Sequence, residues 1–337
     1  MVLEGSMMIS RRSFLASLSL LPGVLARAQG QAQGQAQIER PANKNVKWAV
    51  SAALWNYFPK GPFTDILDVM QETGFIGIRI TGFPGILNKY GLTAAQMLAE
   101  VQKRNLSVVT ISWNFPASPL DDPAWRQQSV ESARNAMKFL ADFGANHLVV
   151  FSPSRTRPGA GTPEAFKALC DCCNQIGEVA GSMGFTAGLH NHMGQMVQTR
   201  EEIDRFMATV DAKLFGLSPD TAHLDLAGCD VVGTLEQYKH RIRFLDYKDA
   251  RRTTPAADVV QPNGRVLAKD SENASFFSSI FDLGDGEVDF PGCHRVLKSI
   301  HYKGWICVDL DTARLGPRAD YERCGEYVVE KLQPIYL

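Results

Sequence analysis

The sequence predicts an α/β protein built as a single (β/α)8 TIM barrel, and three observations predict it. After Val46, apolar β-branched runs recur about every 30 residues, each followed by a turn and an amphipathic helical pattern. Eight such runs fall within residues 46–337, which favours a closed barrel over an open doubly wound sheet. No Gly-x-Gly-x-x-Gly turn follows any of them, which argues against a dinucleotide-binding sheet.

The predicted strands are Trp48–Leu54, Phe75–Thr81, Leu106–Trp113, Asn146–Phe151, Phe185–His190, Phe215–Ser218, Ile242–Tyr247 and Trp305–Leu310. The intervening helices carry start and stop signals. Thr162-Pro163-Glu164 and Thr199 with Glu201 and Glu202 read as N-caps with acidic first turns. Gly74, Gly144, Gly184 and Gly304 stand where a helix should end before the next strand. The spacing is broken once, by Ala250–Glu287 after the seventh strand. A connection that long in a compact domain is usually functional, and here it would lie over the carboxyl end of the barrel as a lid.

The chain has 337 residues, 45% apolar and 21% charged, with a net charge of −1. That is the composition of a folded globular protein. Near-neutral charge argues against nucleic acid as a partner, and with it against a metal-dependent nuclease.

The first segment reads as an address. Arg11 and Arg12 precede an apolar run from Phe14 to Leu25, and Ala26-Arg27-Ala28 has the small-x-small form of a cleavage site. The run is too short to span a bilayer, so no stable membrane insertion is expected. The paired arginines resemble a twin-arginine signal peptide over residues 1–28, implying passage through that export machinery to the periplasm. Residues 29–45, rich in Gln, Gly and Ala, are expected to be a disordered linker, and 46–337 the catalytic barrel. Seven cysteines, an odd number with no second cluster at zinc-finger spacing, are expected to be mostly buried free thiols.

If the barrel is right, ligand-type side chains should gather at the carboxyl ends of strands. Four consecutive strands show this. The fifth ends with His190, Asn191 and His192, and alternation puts the two histidines on one side. They are a metal or proton-transfer pair, or a hydrogen-bonded core pair. The sixth ends with Asp220 and, three residues on, His223; the Asp is a site residue or a helix cap. The seventh ends with Asp246 and Lys248, and the eighth with Asp309 and Asp311. Together they place His, Asp, Asp and Asp at neighbouring strand ends. Mixed imidazole and carboxylate ligation suits a divalent ion, Mn²⁺ or Co²⁺ foremost, with Zn²⁺, Fe²⁺ or Mg²⁺ as alternatives. Such an ion can hold a ketone beside its hydroxyl and ease removal of the α-proton. Trp55, Trp113 and Phe115 stand near early strand ends, either to stack on a sugar ring or as core.

The segments Gly188–Gln195, Pro219–Leu224 with Ala227–Asp230, Arg241–Asp249, Leu283–Phe290 and Gly304–Asp311 occur in the order of the sugar phosphate isomerase/epimerase superfamily. These are the xylose isomerase-like barrels, and the chain most resembles their myo-inosose dehydratase-like branch. The resemblance implies four metal ligands, one from each of the last four strands: His190, Asp220, Asp246 and Asp309. Asp246 stands where the family usually has His, and Asp309 where it has Glu. The resemblance also matches His223 to the usual substrate-contacting His and Lys248 to a family Lys-Asp pair near the substrate, and Glu287 lies in the Gly-Asp-Gly-Glu turn that returns from the long loop. With His192 from the strand-five pair, these are the expected catalytic residues, and Asn191, Asp311 and Trp113 are the expected substrate contacts. The expected function is metal-assisted proton abstraction next to a carbonyl of a keto-sugar, keto-inositol or related polyol. Dehydration or β-elimination comes first, then isomerisation or epimerisation. A metal-free carbohydrate-binding barrel is the competing expectation, and the state of oligomerisation, including a homo-oligomer, stays open.

Overall fold

The structure, a computed structural model, describes residues 45–120 and 122–336. The expected signal peptide and nearly all of the linker lie outside them. The barrel strands are β1 Lys47–Ser51, β2 Gly77–Thr81, β3 Ser107–Asn114, β4 His147–Phe151, β5 Thr186–His190, β6 Gly216–Leu217, β7 Leu245–Tyr247 and β8 Trp305–Val308. They form one parallel sheet in the order β6-β5-β4-β3-β2-β1-β8-β7. Bridges Leu217 to Ile242 and Asp220 to Asp246 join the last pair and close the ring. The predicted strands are all present, and the sixth and seventh are shorter than expected.

Each strand is buried on both faces, as a parallel sheet wrapped by helices requires. One side chain set packs outward under the helices, including Trp48, Ile78, Ile80, Ile111, Leu148, Val150, Leu189, Leu245 and Ile306. The alternate set points inward. Its lower layer is a separate apolar cluster of Ala49, Val109, Val149, Phe244 and Cys307. Gly77 belongs to that layer because a Cβ there would come within 2.5 Å of the Trp305 ring. The next inward layer, toward the carboxyl ends, is polar: Ser51, Arg79, Ser112, His190, Asp246 and Asp309 are all buried.

The helix signals hold with one exception. Thr162 caps the helix Pro163–Ser182, and Thr199 forms a reciprocal capping box with Glu202 on the helix Arg200–Thr209. Gly74, Gly144 and Gly184 take left-handed backbone at helix ends. Gly304 does not. His301 takes that role, with φ of 52°, and Gly304 is small because the Tyr302 ring lies against it. All seven cysteines are buried free thiols. No described helix is long and apolar enough to cross a membrane.

The long excursion after β7 has structure of its own. Asp249–Ala250 pairs antiparallel with Ile280–Phe281, Val259–Val260 with Val266–Leu267, and a helix runs over Glu272–Ser279. Its base is clasped by the Asp249 carboxylate, which accepts from the backbone N–H of Gly284, Gly286 and Val288. Its tip is tied to the turn after β1 by the Asn263 N–H, which donates to the Tyr57 carbonyl.

Candidate metal and catalytic centre

Local backbone chemistry sets the positions of the strand-end residues. Asp220 is the N-cap of the short helix Thr221–Leu226, its Oδ1 accepting from the His223 N–H at 3.1 Å. That cap turns His223 back over the barrel mouth. Asn191 holds the same backbone from below, accepting from Asp220 N–H at 3.0 Å and donating to its carbonyl at 3.2 Å. Thr221 does likewise for Lys248, accepting from its N–H and donating to its carbonyl.

Four carboxylates then face two cations. The Arg79 guanidinium reaches Asp246 Oδ1 at 3.0 Å and Asp309 Oδ2 at 2.6 Å. It also donates to Ser112 and Ser51. Lys248 Nζ lies 3.2 Å from Asp220, 2.8 Å from Asp309 and 2.6 Å from Asp311. Burial opposes charge on Lys248, but Asp220, Asp309 and Asp311 outweigh it and hold the ammonium charged. Burial would also raise Asp309; Arg79 and Lys248 overcome it and keep that carboxyl below the usual range. Asp220 lacks so strong a partner, and burial pushes it up to about 6 against the pull of Lys248. Burial likewise raises Asp246, with Arg79 pulling against it. Fully ionised, the four Asp, one Arg and one Lys carry two negative charges in excess, which burial opposes by raising Asp220 to about 6 and Asp246 to about 7.

The three histidines are neutral. Burial pulls His190 and His192 down to about 3 and holds His223 well below its ordinary value. His190 stacks on Phe151 with ring centres 4.2 Å apart. Its Nδ1 lies 3.1 Å from Asp246 Oδ2, and its Nε2 faces Asp220 Oδ2 at 3.9 Å. His192 donates from Nδ1 to the Met193 carbonyl at 2.6 Å, which leaves Nε2 without a proton. His223 accepts the Met193 N–H on Nδ1 at 3.3 Å, which places its own proton on Nε2. Phe276, from the helix of the long excursion, stacks on His223 at 5.1 Å and lies 5.9 Å from Lys248 Nζ.

The donor set fits a divalent cation. One ligand-type atom from each of His190, Asp220 and His223 lies within 4.8 Å of the others. His223 Nε2 is buried without a hydrogen-bond partner, and Asp220 Oδ2 has only its ion pair with Lys248. The excess of two negative charges matches a dication. Ligation through His223 Nε2 requires its proton to move to Nδ1 and the Met193 contact to be given up.

The structure thus brings His190, Asp220, Asp246, Asp309, Asp311, Lys248, His192 and His223 to one place. It treats them differently from the sequence reading. Asp246 and Asp309, expected as ligands, are engaged by Arg79, and His223 stands nearer the metal donors. Asn191 spends one amide N–H and one Oδ1 lone pair on the Asp220 backbone, keeping its second N–H. Two expectations are corrected. Trp113 points outward, its indole N–H donating to Ser132 on the helix Trp125–Asp142. Glu287 is exposed beside Asp225, away from the cluster. Trp55 stacks on Tyr321 and Phe115 on Trp125, as core. Sequence reasoning missed Arg79, Tyr57 and Phe276. Arg79 had a signal, a charge between Ile78 and Ile80 in a buried strand. Tyr57, whose hydroxyl burial raises and which feels Asp311 and Lys248, had none.

A fold of eight parallel βα units with its buried acid–base cluster at the strand carboxyl ends defines a class, the single-domain barrel enzymes. The family model described as xylose isomerase-like TIM barrel matches residues 67–324. The inosose dehydratase of Halalkalibacterium halodurans is 32% identical over 314 residues, 86% of this chain and 96% of that protein. That of Lactiplantibacillus plantarum is 26% identical over 312 residues, 86% and 98% of the two chains. Among solved structures, the IOLI protein with a bound zinc atom superposes with a TM-score of 0.67 at 14% identity, covering 86% of this chain and 99% of that one. The chain belongs to the xylose isomerase-like TIM barrel family. It is an enzyme of dehydratase or isomerase/epimerase type.

Proposed function

We propose that the chain is a metal-dependent dehydratase acting on a keto-inositol or a related cyclic keto-polyol. The observation that carries this is the meeting of His190, Asp220 and His223, with His223 Nε2 buried and unbonded, beside a charged Lys248. The inosose dehydratase relatives support the substrate class. His190 and Asp220 would hold the cation, with His223 as third ligand. Mn²⁺ or Co²⁺ suits this set, and the zinc in the IOLI protein adds Zn²⁺. The bound cation supplies Lewis acidity to a ketone oxygen.

The remaining work falls to the chain. His192 Nε2, held unprotonated by its Nδ1 bond to Met193, takes the proton from the carbon beside the carbonyl. The C–H electron pair becomes the C=C of an enolate, whose oxygen charge faces the Lys248 ammonium. The β C–O bond then breaks, and the departing hydroxide takes the proton back from His192 and leaves as water. Phe276 and the excursion that carries it keep bulk water from this exchange. Return of the proton to carbon instead would be isomerisation or epimerisation.

Protein purified without chelator is expected to carry a stoichiometric divalent ion and to release water from inosose. Asp220→Ala loses ion and turnover together; His192→Gln keeps the ion and loses turnover. A metal-free chain that binds polyol unchanged would replace this reading with the carbohydrate-binding one. The leader over residues 1–28 supports export by the twin-arginine route to the periplasm. Replacing Arg11 and Arg12 by lysine is then expected to leave the protein in the cytoplasmic fraction.

A further inference from the structure

We propose that Gln261 is a substrate-binding residue. From the underside of the long excursion it offers its amide, donor and acceptor together, to neighbouring hydroxyls of the polyol ring. The inference rests on the cyclic keto-polyol reading above and adds to it a residue that selects among such rings.

The hairpin that carries Gln261 has one face in solvent and one against the barrel. Val260 and Val266 are directly opposed across it and stand 65% and 58% exposed. Alternation sends Gln261 and Leu267 to the other face, where each is 5% exposed. The connecting Pro262-Asn263-Gly264 is a tight turn. The Gln261 carbonyl accepts the Gly264 N–H at 2.8 Å, and its own N–H donates to the Arg265 carbonyl at 2.8 Å. Gly264 takes the left-handed backbone this turn requires, with φ of 86°. Asn263 fastens the turn to the loop after β1. Its N–H donates to the Tyr57 carbonyl at 2.9 Å and its side chain to the Asn56 carbonyl at 3.1 Å. Tyr57 packs edge-on against Phe277 of the excursion helix, ring centres 4.7 Å apart, and its hydroxyl feels Asp311 and Lys248. The buried face of the hairpin therefore meets the rim of the site at Tyr57.

The backbone of Gln261 is fully used and its side chain is not. Oε1 and Nε2 are both buried without a hydrogen-bond partner. Buried amides are paired in the great majority of cases, because an unmade bond costs the desolvation of the group. An apolar side chain of the same length would hold the hairpin down without that cost. An amide donates and accepts at one place, which matches two adjacent hydroxyls of a ring that carries them on most carbons. A few placed polar groups of this kind in an apolar wall fix how a ligand sits.

Gln261→Met keeps the length and removes the amide. The melting temperature of the unliganded protein is expected to rise by about 2–4 °C, since an unpaired buried group is removed. The calorimetric Kd for inosose, read in the His192→Gln background so that turnover does not mask binding, is expected to rise about tenfold for two lost hydrogen bonds. KM in the active protein should rise in step. Among mono-deoxy inososes, those lacking the hydroxyls that Gln261 holds should bind with and without Gln261→Met alike. A Gln261→Met protein that binds inosose as tightly as its parent overturns the inference. So does one that is less stable than its parent or does not fold, because the amide is then structural. If the unmutated chain releases no water from inosose, the dehydratase reading fails instead, and the Kd comparison still decides Gln261. Absence of inosose binding throughout overturns both.

Discussion

Replacing His147 by glutamine should remove a defined part of the acid sensitivity of the fold. His147 starts β4 at the end of the barrel opposite the site, stacked on Phe244 with ring centres 5.6 Å apart. Both ring nitrogens are used, Nδ1 on Thr186 Oγ1 at 2.8 Å and Nε2 on Ser218 Oγ at 2.9 Å. Burial, aided by the charge on Arg243, pulls its pKa down to about 3. A histidine held neutral in the fold contributes stability that is complete above its unfolded pKa of about 6.5. That stability is lost as pH falls toward 3, because the unfolded chain takes up a proton that the folded chain refuses. At pH 5 the unfolded state gains about 1.5 pH units of binding, or about 2 kcal/mol. Other groups titrate in the same window, and the raised Asp220 works in the opposite sense, so the total slope is not informative. The difference between the unmutated chain and His147→Gln isolates one residue. At pH 7.5 the variant should be less stable by about 1–2 kcal/mol, for the lost hydrogen bonding and stacking. By pH 5 that gap should shrink by about 2 kcal/mol. Urea unfolding of both proteins across this range measures it. A gap that stays constant with pH would refute the claim that His147 is held neutral.

Two further outcomes test the centre and its cover. Lys248→Met leaves Asp220, Asp309 and Asp311 buried with Arg79 as the nearest cation. Unfolding should become easier by about 3–5 kcal/mol, and a loss below about 1 kcal/mol would contradict the account of the cluster. Added divalent cation should restore part of that loss by mass action, visible as a rise in melting temperature. Phe276→Ala removes the ring over His223 and should speed carbethoxylation of His223 several-fold, mapped by mass spectrometry. An unchanged rate at His223 would mean that Phe276 does not control access.

The barrel was legible because its signal is redundant. Each strand is an apolar run of the right length, and caps such as Thr162 and Thr199 mark the helices independently. The gathering of charged residues was legible because a polar side chain at the end of a buried strand must serve a site or a cap. What each one does was not legible, since roles depend on partners far away in sequence. Arg79 binds residues on β1, β3, β7 and the end of β8, and no local pattern joins them. Trp113 shows how a single residue undoes a period-two argument. Continued alternation from the inward Val109 would send Trp113 inward. The register of β2 on β3 shifts between Ile78 and Arg79, leaving Val109 unpaired. The following residues therefore exchange faces, with Ser112 inward and Trp113 under the helices. Glu287 failed for a different reason: the backbone around it is anchored by Asp249, and its side chain is turned to solvent.

That anchorage carries an evolutionary consequence. One aspartate knots both ends of residues 250–287 to the rim. Chain inserted into or cut from the middle of a closed loop changes its closure entropy only slowly with length. In such a closed loop the ceiling of the chamber, and with it the shape of molecule admitted, can therefore be redrawn without moving the charged residues beneath it.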